Sequence, residues 1–257
     1  MKIKKYTKLK SNKYNVEIDD LNIKLYDDVI IKFELLRKDE IDETLFKEII
    51  EYNDRLEAYY KALKYISKKL RTEKEMVKYL EKDYSRSVVR ETIDKLRKDG
   101  YLNEEIYLKS YLLDQVNLNI SGPNKIKKDL IKLGIDEEEV VSKISEISDD
   151  IWINKLEKIV NKRIKSNKSY GNNKLKEKLL YDLSNLGYYK WMIEEVINKS
   201  EFSSNDNLIE KEYSKVYNKL SKKYTGYELE TKIISKLMAK GFYYDDIKRF
   251  MENKKSF

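Results

Sequence analysis

The sequence predicts a mostly α-helical protein: tandem repeats of three-helix, helix-turn-helix-like units in an elongated array, preceded by a small N-terminal α/β hairpin domain. Three observations predict it. The stretch Ile126–Ile135 places apolar Ile126, Leu130 and Leu133 before Gly134 and another apolar residue after it. Leu179, Leu183, Leu186, Gly187 and Tyr188 repeat this phrase, as do Ile233, Leu237, Gly241 and Phe242, with Lys240 in place of the last apolar residue. Helical spacing recurring at 53 and 54 residues marks a repeat architecture. Second, 40% of the 257 residues are apolar and evenly spread although 39% are charged, as amphipathic helices require. Third, a single Pro and seven Gly leave few loop-forming tracts.

The first fifty residues (domain 1–50) differ. Lys2–Leu9 is β-prone, and Tyr14, Val16 and Ile18 alternate with polar residues, as do Leu21, Ile23 and Leu25 across an Asp19-Asp20 turn. That is a period-two hairpin with one face to bury. A short helix over Val29–Leu36, capped by Asp27 or Asp28, is expected next, and Asp42 or Thr44 caps the long helix that follows.

The first repeat (51–101) continues that long helix to a break near Arg71. Thr72 with Glu75 forms a capping box, and Met76, Val77 and Leu80 face inward. Ser85 opens a helix with Val88, Val89, Thr92, Ile93 and Leu96 inward, ending at Gly100. The second repeat (102–150) comprises Glu104–Val116, a helix with Pro123 in its first turn, and Glu137–Ser145. The third (151–201) starts at Ile151, with Trp152, Leu156 and Val160 inward, and crosses the polar loop Ser166–Asn173. A linker at 200–207 leads to the fourth (202–257), with Leu208–Leu220, a loop near Gly226, Leu229–Ala239 and Asp245–Met251. Six residues after each phrase glycine stand Val140, Ile193 and Ile247; ten after stand Ile144, Ile197 and Met251. The first repeat diverges, with Tyr84 where the glycine would fall.

The absence of Cys and His excludes disulfides, Cys/His zinc sites and His-based nucleophilic catalysis. Only carboxylate, Lys, Tyr or metal-carboxylate chemistry survives, and no cluster of those types stands out, so no catalytic residue, metal site or cofactor is expected. No apolar run approaches the roughly 18–20 residues that span a bilayer, and no secretory leader is present, which predicts a soluble, cytoplasmic protein without membrane partners. A net charge of +8 suits an anionic partner.

Gly134, Gly187 and Gly241, like Gly100, read as left-handed caps closing helix C-termini, and Thr72 as an N-terminal cap. Tyr59, Tyr79, Tyr101, Tyr111, Tyr188 and Tyr217 lie on apolar helical faces or after caps, so core packing is expected of them. Basic groups recur near the end of a first helix or the start of a second: Lys68, Lys69 and Arg71; Lys125, Lys127 and Lys128; Lys162, Arg163, Lys165 and Lys168; Lys222 and Lys223. The cluster at Lys125 opposes the helix dipole, so helix stability does not account for it. Together these are the candidate contacts for an anionic partner surface or nucleic acid.

Ala62-Leu63-Lys64-Tyr65-Ile66, Leu70-Arg71-Thr72-Glu73-Lys74-Glu75-Met76 and Gly100-Tyr101-Leu102-Asn103-Glu104 resemble the RecX family, whose units carry an Arg-Ser-Glu-like and then a Gly-Tyr-Leu-Asp-Asp-like segment. Gly122-Pro123 followed by Ile126, Leu130 and Gly134 is similar to that family's second unit. Thr72 stands for the commoner Ser, Asn103-Glu104 for Asp-Asp, and the loops of repeats three and four are longer. The resemblance implies a monomeric, non-enzymatic modulator of the RecA recombinase. Such a protein binds the RecA–DNA filament along its groove and usually inhibits ATP hydrolysis and strand exchange, and so acts on homologous recombination, DNA repair and the SOS response. Any DNA contact of its own would be weak and non-specific. The alternative reading is a sequence-independent nucleic-acid-binding helical repeat protein acting without RecA.

Overall fold

Alternation of apolar and polar residues at the N-terminus produces an antiparallel sheet. In the computed structural model, which describes residues 1–10, 12–202 and 206–255, β1 (Ile3–Lys8), β2 (Lys13–Ile18) and β3 (Leu21–Tyr26) pair in the order β1-β2-β3. Tyr6 lies opposite Val16, and Val16 opposite Ile23. The sheet thus has one strand more than the hairpin expected. Val16, Ile18 and Leu25 supply its buried face.

Helix α1 (Asp27–Lys32) corrects the expected Val29–Leu36: it starts at Asp27, and Tyr26 holds the cap position without a side-chain bond. At about 100° per residue, a helix continued from Val29 would turn Leu35 roughly 120° away from it. Instead Glu34 adopts φ +49°, a 3-10 turn forms over Leu35–Arg37, and Leu35 is fully buried beside Val29 and Ile30.

Asp42 accepts a bond from Leu45 N at 2.7 Å and so caps α2 (Glu43–Ile66). This continuous helix serves two cores. Ile49 and Leu56 pack under the sheet, while Ala58 and Ala62 pack against α3 (Glu73–Leu80) and α4 (Arg86–Lys98). Residue 50, the expected domain edge, lies inside it. Asn53, 5% exposed, accepts from Tyr26 N at 3.1 Å and ties the last strand to the helix. The small alanines let α4 approach, and Met76, Leu80, Val89, Ile93 and Leu96 fill the space. Gly100 closes α4 at φ +79°, with Tyr101 N bonded back to Leu96 O.

Three further triplets follow: α5 (Glu104–Leu118), α6 (Pro123–Lys132) and α7 (Glu137–Ser145); α8 (Asp149–Ser166), α9 (Asn172–Asn185) and α10 (Lys190–Lys199); α11 (Asp206–Leu220), α12 (Gly226–Ala239) and α13 (Tyr244–Lys255). Gly226 opens α12, where a loop was expected. Residues 203–205 of the expected linker and 256–257 of the last repeat lie outside the described residues. Val140, Ile193 and Ile247 are fully buried, as the repeat phrase requires. Tyr101 and Tyr217 depart from expectation: both are exposed, at 48% and 41%. The chain divides into two compact units, Met1–Lys109 with Lys132–Ile135, and Ser110–Ile131 with Asp136–Phe257.

In the second unit an ion cluster around one buried carboxylate explains why Lys240 replaces an apolar residue. Glu212 on α11 is 1% exposed; Lys215 donates to its Oε1 at 2.5 Å and Lys240 to its Oε2. Burial pushes the Glu212 carboxyl up, but hydrogen bonds and charge from the two lysines outweigh it, and its pKa lies below the ordinary glutamate value.

Candidate partner interface

A helix leaves four N–H groups unpaired at its start and four carbonyls at its end. Within the second compact unit the repeats set one against the other. Gly122 N donates to Leu186 O (2.8 Å) and Asn124 N to Gly187 O (3.0 Å), so the start of α6 seats on the capped end of α9. Gly171 N donates to Lys240 O (2.9 Å) and Asn173 N to Gly241 O (3.2 Å), so the start of α9 seats in the same way on the end of α12. The positive pole of one helix thereby meets the negative pole of the next.

Gly187 and Gly241 adopt φ +87° and +88°, with Tyr188 N and Phe242 N bonded back to Leu183 O and Leu237 O, so the expected caps are present. They also serve as contact points between repeats. A Cβ on Gly187 would lie 2.5 Å from Lys125 Cβ, and one on Gly122 2.5 Å from Tyr188 N.

The first compact unit holds a related junction. Thr72 completes the expected capping box with Glu75, and its hydroxyl also donates to Leu133 O at 2.9 Å. Lys74 Nζ donates to Lys132 O at 3.1 Å, beside Gly134 at φ +99°. A Thr72→Ala variant is expected to lose about 1–2 kcal/mol, and Thr72→Ser much less, in urea unfolding. Equal midpoints for parent and Thr72→Ala would sink the dual role.

Residues beyond the predicted caps therefore build the junctions: Gly122 and Gly171, with Lys125 and Lys174 three positions later. The tetrads Gly122-Pro123-Asn124-Lys125 and Gly171-Asn172-Asn173-Lys174 share the pattern Gly-x-Asn-Lys, a signal present in the sequence. They stand 12 and 16 residues before their own phrase glycines, so a fixed period does not find them. The backbone and Cβ of Lys125 lie against Gly187 at the end of α9, and the residue is exposed.

The candidate cations fall into two groups. Arg71 is held internally: its guanidinium lies 4.0 Å from the Tyr65 ring centroid and 3.3 Å from Glu75. Lys127 pairs with Glu137 at 2.7 Å and Arg163 with Asp182 at 2.5 Å. Lys68 and Lys69 are exposed after α2, Lys125 and Lys128 along α6, Lys162 and Lys165 along α8, Lys168 in the loop after it, and Lys222 and Lys223 after α11. Among the described residues none of this second group forms a salt bridge, and no acidic cluster of metal-binding kind is found. No described helix is long and apolar enough to cross a membrane.

Sequence and structural comparisons agree with this architecture. A family model for the first three-helix domain of RecX matches residues 58–106, and one for the third three-helix domain matches 205–251. The regulatory protein RecX of Streptococcus agalactiae (serotype III, strain NEM316) is 32% identical over 254 residues, covering 96% of this chain and 97% of its own. That of Staphylococcus aureus (strain JH9) is 30% identical over 265 residues, covering 98% and 95%. A crystal structure of regulatory protein RecX superposes with a TM-score of 0.64 over 77% of this chain and 99% of its own, at 24% identity, a likeness of fold. RecX from Lactobacillus salivarius gives 0.53 over 58% of this chain and 97% of its own, at 28% identity. With paired three-helix repeats, family signatures at both ends of the array and near full-length relatives among these regulators, the chain belongs to the RecX family of regulatory proteins.

Proposed function

We propose that this protein is a non-enzymatic, cytoplasmic regulator of RecA that binds along the groove of the RecA–DNA filament as a monomer and inhibits ATP hydrolysis and strand exchange. The observation that carries this reading is the end-to-end kinship with regulatory RecX proteins, 32% identity over 96% of the chain. The physical arrangement supports it. Successive three-helix units, which we place at 51–101, 102–150, 151–201 and 202–257 behind the domain 1–50, each offer exposed lysines to an anionic surface. Linking several weak contacts in one chain multiplies their effect. The contacts are assigned to Lys68, Lys69, Lys125, Lys128, Lys162, Lys165, Lys222 and Lys223; Arg71, Lys127 and Arg163 have internal partners and act in the fold.

The test is RecA hydrolysing ATP on single-stranded DNA, titrated with the purified protein. Inhibition is expected, and the double reversal Lys125→Glu/Lys128→Glu should raise the half-inhibiting concentration roughly tenfold, about 0.7 kcal/mol per charge. Hydrolysis that the parent protein leaves unchanged at any concentration would overturn the reading.

A further inference from the structure

The loop between α8 and α9 and the adjoining helix faces line an open pocket of about 300 Å³ within the second compact unit, near the lower limit of known small-molecule sites. Its floor is apolar, Leu175 and Leu179, 6% and 1% exposed. Its polar wall carries Arg163, Lys168 and Lys178 against one carboxylate, Asp182, which Arg163 already holds through Nη1. Tyr170 stands at the edge with 37% of its surface in solvent, and Lys178 Nζ lies 5.2 Å from its ring centroid.

The loop is braced from within. Asn167 Nδ2 donates to Tyr170 O at 2.7 Å, while Asn167 Oδ1 accepts from Tyr170 N at 3.2 Å. Beyond Tyr170, Gly171 N is bonded to Lys240 O, so both sides of the ring's backbone are tied down. With its backbone braced in this way, the segment that carries the ring loses little freedom when a planar group stacks on it.

A flat ring, an apolar floor and a net positive wall within one nucleotide's reach have a specific chemical complement. We propose that this pocket binds one nucleotide unit of single-stranded nucleic acid, the base stacked on Tyr170 and its phosphate held by Lys168 and Lys178. Stacking on a π-face takes any base, so the site reads no sequence. Lys162 and Lys165, also on α8, are exposed but do not line the pocket. An acidic peptide would satisfy the lysines but would leave the ring without a planar partner.

This site does not rest on the RecA reading. The test is fluorescence anisotropy of a labelled twenty-residue oligothymidylate across a salt series, with no RecA present. The parent is expected to bind with a steep salt dependence. Tyr170→Ala should weaken binding about tenfold while Tyr170→Phe retains it, and Lys168→Ala/Lys178→Ala should weaken it and flatten the salt slope by about one to two. These positions lie on the surface, and a circular-dichroism melt matching the parent verifies the fold of each variant. Three outcomes overturn the proposal: no loss of affinity in Tyr170→Ala, thymidine monophosphate bound as tightly as the strand, or a polyglutamate peptide bound more tightly than the oligonucleotide. Loss of strand binding by these variants together with a null RecA assay would leave the pocket standing and remove the RecA reading. The reverse pattern would do the opposite.

Discussion

Gly187→Ala is expected to lower the stability of the second compact unit by about 2–5 kcal/mol, against about 1–2 kcal/mol for Gly100→Ala. Both glycines adopt positive φ, +87° and +79°, so both substitutions incur left-handed backbone strain. They differ in what the new methyl meets. At Gly100 nothing lies within 4 Å, whereas at Gly187 the methyl would overlap Lys125 N and lie 2.5 Å from Lys125 Cβ. Backbone cannot move aside as a side-chain tip can, so the start of α6 must lift and give up the bonds from Gly122 N to Leu186 O and from Asn124 N to Gly187 O. Urea unfolding followed by circular dichroism gives both values. A broadened transition in Gly187→Ala, as neighbouring repeats uncouple, is the expected companion effect. Equal losses at the two positions would mean that the glycine is only a cap.

That comparison also marks how far the sequence could be read. Helix order, the buried positions after each glycine, the Thr72 capping box and the left-handed caps follow from local chemistry, because spacing and capping residues act within one or two turns. What local chemistry does not carry is which helix end meets which. Gly187 looks like a cap whether or not another repeat rests on it, and Gly122 and Gly171 fall outside the 53- and 54-residue rhythm because the helices they open differ in length. Leu35 escaped for a similar reason: the turn at Glu34 exists to bring one side chain back to a core formed by distant strands. The basic residues were legible as a class. Their division into exposed Lys125 and Lys128 and internally held Arg71, Lys127 and Arg163 depends on partners four to nineteen residues away, and so on the fold.

The Glu212 cluster gives the other large effect. Glu212→Gln keeps the shape of the side chain but removes the charge that holds Lys215 and Lys240, and should cost about 1.5–3 kcal/mol at neutral pH. The pH dependence follows from the direction of the shift. A carboxyl whose pKa is lower in the folded than in the unfolded chain stabilises the fold above its ordinary value of 4.5, and that contribution is lost as pH falls through the folded value. The gap in unfolding free energy between parent and Glu212→Gln should therefore hold near neutrality and shrink below pH 4.5. Urea titrations at a series of pH values measure it, and a gap that does not change with pH would refute the ionised cluster. Lys240→Leu restores the apolar residue found at Leu133 and Leu186, yet it should destabilise, because it takes a partner from a carboxylate that is 1% exposed. Pairing it with Glu212→Met removes the stranded charge and should recover most of the loss, since no buried carboxylate is then left without its partner.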